Sequence, residues 1–380
     1  MTVSIFAPPI PEQNHSNKKD IRHWGNLKGS SSALAIANGA KQANGPVLLV
    51  TTDSPSAIKL EKELDYFLAD EPLEVQLFPD WEALPYDNFS PHQDIVSERL
   101  ATFHQLPKTA SGVLIAPIST LMQRTPPTYY IEGSSFDLTL GQSLVVDTFV
   151  KNLTLNGYRA VETVYEHGEF ALRGSILDVF PMGSDSPYRI DTFDSDVDSI
   201  RTFDPETQRT RETIELIDLL PAREFPLTKT ALNRFMMNWY ESFDVDHDSC
   251  PIYREVLAGR VPGGTEYFFP LFFESTANLF DFLPADTAVV TIGDHYQASE
   301  RFSKEVAERY EEYGVDPRRP LLTPQRIILP TDQFYGELKK FSVLELRRNP
   351  DAPVHFQTNS KTLPNLASET SGSPVDKLAE

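Results

Sequence analysis

Apolar residues follow two rhythms along this chain, and the change of rhythm divides it. Residues 46–52 (PVLLVTT) form a short unbroken apolar run, the pattern of a strand covered on both faces. Ser54 and Pro55 follow as an N-cap and first helical position, and Leu60, Leu64, Phe67 and Leu68 then recur at helical spacing. Residues 74–79 read as a second strand, 95–106 as a helix, and 112–117 as a third strand leading into 119–123. Strand, helix, strand, helix, strand predicts an α/β unit over residues 21–135, a parallel sheet with helices on its faces.

Between 136 and 222 the period changes to two. Residues 170–181 and 187–193 alternate, and 194–199 (DSDVDS) supply a turn before a strand at 200–203. The expectation is a mainly antiparallel, β-rich α+β domain with one or two helices near 146–157. After Pro226 the helical period returns, with Leu232, Phe235, Met236, Trp239, Tyr240 and Phe243 on one stripe. Residues 289–292 and 326–330 read as strands, and 299–313 as a helix closed by Gly314 with Pro317 beyond. Residues 223–348 therefore resume the α/β character, so one lobe in two segments brackets the β-rich domain. Residues 1–20 read as a loose lead-in. Residues 349–380 read as a linker running into an uncompleted helix, as at the end of a truncated chain.

Charge and composition remove whole classes. Acids outnumber bases 55 to 34 over 380 residues, a net charge of −21, which opposes a broad grip on DNA or anionic lipid. Sixteen acids against seven bases fall within 136–222. The one cysteine, Cys250, cannot form an internal disulfide or a thiolate cluster. There is no membrane-length apolar run and no secretory pattern at the start, so a cytoplasmic location is expected.

Sites of chemistry are scarce. The one nucleotide-loop candidate joins Gly25, Lys28, Gly29 and Ser30, but Ser30 stands where a P-loop needs lysine, and Lys28 precedes the glycine. Asp244, Asp246, Asp248 and Glu255 fit positions 1, 3, 5 and 12 of a calcium loop, yet Ser249 replaces the turn glycine and Pro251 interrupts it; a solvated acidic loop is the reading preferred. No HExxH, HxxxH or GxSxG pattern occurs, so no catalytic residue, metal or cofactor is assigned. Residues 188–193 are more informative. Alternation sets Arg189, Asp191 and Phe193 on one face and Tyr188, Ile190 and Thr192 on the other, with Arg173 on the preceding segment able to join the first set. Arginine beside an aromatic suits protein docking. An edge-strand arginine paired with one of the many acids suits the same pattern, and the pattern alone does not choose.

Here the sequence resembles a known family. Residues 157–159 (GYR) and 166–181 (EHGEFALRGSILDVFP) are similar to a block shared by the excision-repair protein UvrB and the bacterial transcription-repair coupling factors (Mfd). Residues 80–99 (DWEALPYDNFSPHQDIVSER), 180–184 (FPMGS) and 314–322 (GVDPRRPLL) look like the coupling factors rather than UvrB. The resemblance implies a degenerate NTPase lobe split into domains 1a (21–135) and 1b (223–348) around a UvrB-like domain 2 (136–222). It implies that domain 2 recruits UvrA to stalled RNA polymerase, with the docking role carried onto Arg173, Arg189 and Phe193. It also implies that the ATP- and Mg-dependent DNA translocase, the polymerase-binding module and a C-terminal domain that masks the UvrA face lie outside these residues. A UvrB-like ATP-dependent damage-binding protein and a direct DNA-binding module are the rival readings.

Overall fold

The computed structural model describes residues 4–8, 21–193, 196–347, 356–358 and 360. The first segment runs β1 (Ile21–Gly25), α1 (Ser31–Ala40), β2 (Val47–Thr51), α2 (Ser54–Leu68), β3 (Val75–Leu77), α3 (Gln93–Gln105), β4 (Val113–Pro117), α4 (Ile118–Leu121), β5 (Arg124–Thr125) and α5 (Thr128–Ser134). The middle holds β6 (Phe136–Thr139), α6 (Val146–Leu155), β7 (Arg159–Ala160), β8 (Glu169–Arg173), β9 (Ile176–Val179), β10 (Tyr188–Phe193), β11 (Asp196–Phe203), β12 (Thr210–Thr213) and β13 (Leu216–Leu219). The last segment adds α7 (Lys229–Ser242), α8 (Pro251–Leu257), β14 (Ala277–Asn278), β15 (Ala288–Ile292), α9 (His295–Tyr313), α10 (Pro324–Ile327), α11 (Thr331–Leu338), β16 (Val343–Arg347) and β17 (Phe356–Gln357).

Strands from both ends of the chain share one parallel sheet, ordered β17-β1-β16-β15-β2-β4-β3. Every residue of β2 and β4 is buried, as their apolar runs require of strands covered on both faces. Alternate side chains go to opposite layers. Val47, Leu49, Val113 and Ile115 pack with Leu60, Leu64 and Leu68 of α2, whereas Leu48, Val50, Leu114 and Ala116 join a larger core with Leu100 and Phe103 of α3. That larger core takes in Phe235 and Trp239 of α7 and also Leu177, Val179, Ile190 and Ile200 of the middle segment.

The middle segment forms a six-stranded sheet, β12-β11-β10-β9-β8-β7, antiparallel except between β7 and β8. Its two ends are tied together by the β6–β13 pair, where Asp137 faces Asp218. A buried ion pair then joins α3 to the chain just beyond the middle segment: Arg99, with no exposed surface, donates from Nε to Glu224 Oε1 at 2.6 Å, and Trp81 Nε1 donates to the same oxygen at 2.9 Å. The Gly183 N–H donates to Ser97 Oγ at 2.7 Å, and His167 Nδ1 meets Asp94 Oδ1 at the same distance.

Several local expectations need correction. Residues 21–25 form a strand where none was read, because β1 is short and gains its place between β16 and β17. Asp53 caps α2, accepting from the Ser56 N–H at 2.8 Å, and Ser54 is the first helical residue instead. Residues 326–330 are no strand: Pro324 starts the single turn of α10, and only Ile328 bridges, to Gln123. Tyr240 lies on the α7 stripe yet is 53% exposed, its hydroxyl donated to by Tyr253. Strand β11 begins at Asp196 inside the expected turn, of which residues 194–195 lie outside the described set. Gly314 does close α9, with φ −76° rather than a left-handed turn. Most of 1–20 and 349–380 also lies outside the described residues. Within them, however, Ile5 packs on the α1 side of the parallel sheet, and Phe356 of β17 meets Trp24 edge-on at 5.1 Å.

Candidate protein-docking site

Gly174, at φ +66°, turns β8 back into β9 so that Arg173 pairs with Ile176 and Ala171 with Asp178. On its other side Asp178 stands opposite Arg189 of β10. Residues directly opposite share a face, so the register delivers one carboxylate between two guanidinium groups. Arg189 grips it with both prongs, Nε to Oδ1 at 2.7 Å and Nη2 to Oδ2 at 2.9 Å, and Arg173 Nη2 donates to Oδ2 as well. Asp178 has no exposed surface. Arg189 Nη1 also donates to the Gln208 carbonyl at 3.2 Å, and its guanidinium lies 4.8 Å from the centre of the Phe203 ring. The hydrogen bonds to Asp178 hold the Arg189 guanidinium above its ordinary pKa, against the burial that would lower it.

The three expected docking residues differ in what they offer. The Arg189 side chain is 17% exposed and fixed, the Arg173 side chain is 48% exposed, and Phe193 is 72% exposed. Arg189 is not on an edge strand, since β10 has β9 and β11 on either side, but it is acid-paired. Ile190 between them is fully buried, so the opposite face of β10 is core. The ladder slips between Asp191 and Thr192, and Phe193 lies beyond that slip. Asp191 accepts from Arg201 Nη2 at 2.5 Å. This combination suits contact with a protein: a preset cation, a second cation with a freer side chain, and an uncovered ring on one strand system. The residue missed in the sequence is Asp178, which orders both arginines. The tight turn at Gly174 was the available signal, because it fixes which residue faces which.

The loop of Gly25, Lys28, Gly29 and Ser30 lies between β1 and α1. Gly25 ends the strand, Gly29 has φ +57°, and Ser30 precedes the helix. Ser30 Oγ donates to Glu63 Oε1 at 2.9 Å. The Lys28 N–H donates to Ser360 Oγ at 2.8 Å, and the Asn26 side chain donates to the Thr358 carbonyl at 2.6 Å, so downstream chain lies across the loop. A cavity of about 490 Å³ adjoins it, lined in part by Trp24, Lys28, Lys59 and Glu63. In the acidic stretch, Asp244, Asp246 and Asp248 are exposed, while Glu255 lies in α8 and pairs with Arg260 at 2.5 Å. Among the described residues no three His, Cys, Asp or Glu side chains converge as a metal site would need, and no helix is long and apolar enough to cross a membrane.

The family model described as the UvrB interaction domain matches residues 136–225. The transcription-repair-coupling factor of Escherichia coli (strain K12) is 43% identical over 361 residues, 94% of this chain and 31% of that protein. That of Haemophilus influenzae is 40% identical over 368 residues, 97% of this chain and again 31% of the relative. The Rickettsia conorii factor is 29% identical over 257 residues, 67% of this chain and 23% of its own. The chain therefore belongs to the transcription-repair-coupling factor family, whose E. coli and H. influenzae members it matches over about a third of their length.

Proposed function

We propose that this chain is the UvrA-recruiting part of a transcription-repair coupling factor. In this reading residues 136–222 form the docking domain, and the outer face carrying Arg173, Arg189 and Phe193 is the contact surface. The observation that carries it is the buried Asp178, which fixes Arg189 and steadies Arg173 while Phe193 stays 72% exposed. A clamped arginine loses little side-chain freedom on binding, and an uncovered ring supplies apolar area, the two properties of an interface anchor. Residues 21–135 and 223–348 act as a split, non-catalytic scaffold of degenerate NTPase type. Support for that part comes from the loop at Gly25, Lys28, Gly29 and Ser30, where Glu63 and Ser360 engage the groups a phosphate would need. No cofactor is assigned to this segment. Stalled RNA polymerase, DNA, the ATP-driven motor and the masking C-terminal domain belong to the remainder of such factors, and the setting is the cytoplasm. Titration with purified UvrA tests the reading: saturable binding at micromolar concentration is expected, and its absence would count against it.

A further inference from the structure

Arg124 and Arg326 line one polar cavity of about 590 Å³ to which no residue of 136–225 contributes. Its walls are held from several directions. Arg124 of β5 sits opposite Asn278 of β14, and the adjoining Gln123 bridges Ile328, next to α10, which carries Arg326. Both arginines are half-buried.

Among the described residues their hydrogen-bond partners are all neutral. Arg124 donates from Nε to the Gln325 carbonyl at 2.8 Å, from Nη1 to Thr276 Oγ1 at 3.4 Å and from Nη2 to Gln333 Oε1 at 3.3 Å. Arg326 Nη1 donates to Ser242 Oγ at 2.9 Å. Two carboxylates reach the cavity, and neither forms an ion pair with these arginines among the described residues. Glu274 is held by Arg234 at 2.6 Å, and Glu241 is exposed and acts on Arg326 only through space. Burial pushes both guanidinium groups below their ordinary pKa, and for Arg124 the charge of Arg326 adds to the shift. In a chain with 55 acids and 34 bases, two half-buried arginines share a cavity in which, among the described residues, neither has a direct ion pair, and only Glu241 offsets Arg326 from a distance.

We propose that the Arg124–Arg326 cavity binds one compact oxyanion group, a phosphate or a carboxylate. Guanidinium forks match the oxygens of either, and an entering oxyanion would replace neutral hydrogen-bond partners with charge-assisted ones and would have no direct ion pair of these arginines to break. An extended polyanion is opposed by the net charge of −21 and by Glu241 and Glu274 on the walls, so the occupant is small or is one isolated group.

The test is titration of the whole chain with inorganic phosphate and, separately, acetate, each against chloride at matched ionic strength. Saturable binding is expected for at least one of the two, and which one saturates assigns phosphate or carboxylate. Arg326→Gln is expected to unfold no earlier than the parent without anion, because a like-charge neighbour has gone, and to lose at least tenfold in anion affinity. Glu241→Gln, which should fold whatever becomes of the first variant, is expected to tighten binding by about threefold. No saturation with either anion, or saturation unchanged in both variants, overturns the proposal; a general stabilisation by phosphate through exclusion from the surface would show equally in all three proteins.

Discussion

Asp178 faces Arg189 across the β9–β10 ladder with no surface of its own exposed, and both of its oxygens take a prong of the arginine fork. The cation offered at the outer face is thus set from beneath by a residue no partner can touch. Asp178→Asn keeps the shape but removes the charge shared by two arginines. It should lower stability by about 3 kcal/mol in urea unfolding. On the proposed docking role it should also weaken UvrA binding as an Arg189 substitution does.

The Arg99–Glu224 pair ties α3 to the chain just beyond the β-rich sheet. Glu224→Ala leaves Arg99 buried and uncompensated among Phe78, Trp81 and Phe103, and should cost about 3–5 kcal/mol. Replacing both residues by methionine should recover most of that loss, since the penalty lies in the orphaned charge. Chemical denaturation of the two variants checks the order.

Asp218 gives a pH signature. Asp218 is exposed, yet partial desolvation raises its pKa, and the hydrogen bond and negative charge of Asp137 opposite raise it further. A carboxyl that holds its proton more tightly when folded favours the folded state below its unfolded pKa, near 3.8, and that advantage is lost as pH rises through the folded value. Asp218→Asn should therefore stabilise the protein at neutral pH, with the gain shrinking as pH falls toward the unfolded value. Urea midpoints measured across that range decide it; a gain that grows on acidification would be the wrong sign.

Ser30→Lys restores the residue type a phosphate loop needs after its last glycine. Its ammonium would still face Glu63, and the downstream chain at Thr358 and Ser360 would still cross the loop. Neither this variant nor the parent should bind an ATP analogue saturably at millimolar concentration, as followed by fluorescence.

Long periodic elements were readable from sequence because their burial is written into residue type: β2, β4, α2 and α7 all lie where the apolar pattern put them. Short elements were not. β1 and β17 exist through pairing with strands more than 300 positions away, which no local pattern encodes. The strand read at 326–330 failed because the proline at 324 favours a turn over the apolar run that follows. At the candidate docking face, alternation put Ile190 on the side opposite Arg189, and that residue is fully buried. The turn at Gly174 sets Asp178 against β8, but its pairing with Arg189 depends on where β10 docks on β9, which no local pattern encodes.

Affinity for UvrA is the most direct measure of the central claim. Calorimetric titration of the parent chain and of Arg173→Glu, Arg189→Glu and Phe193→Ala should show micromolar or tighter binding by the parent. Each substitution should weaken it by about 2–4 kcal/mol while the unfolding midpoint of Phe193→Ala, whose ring is 72% exposed, hardly moves. Full affinity in the two charge-reversed variants would contradict the account.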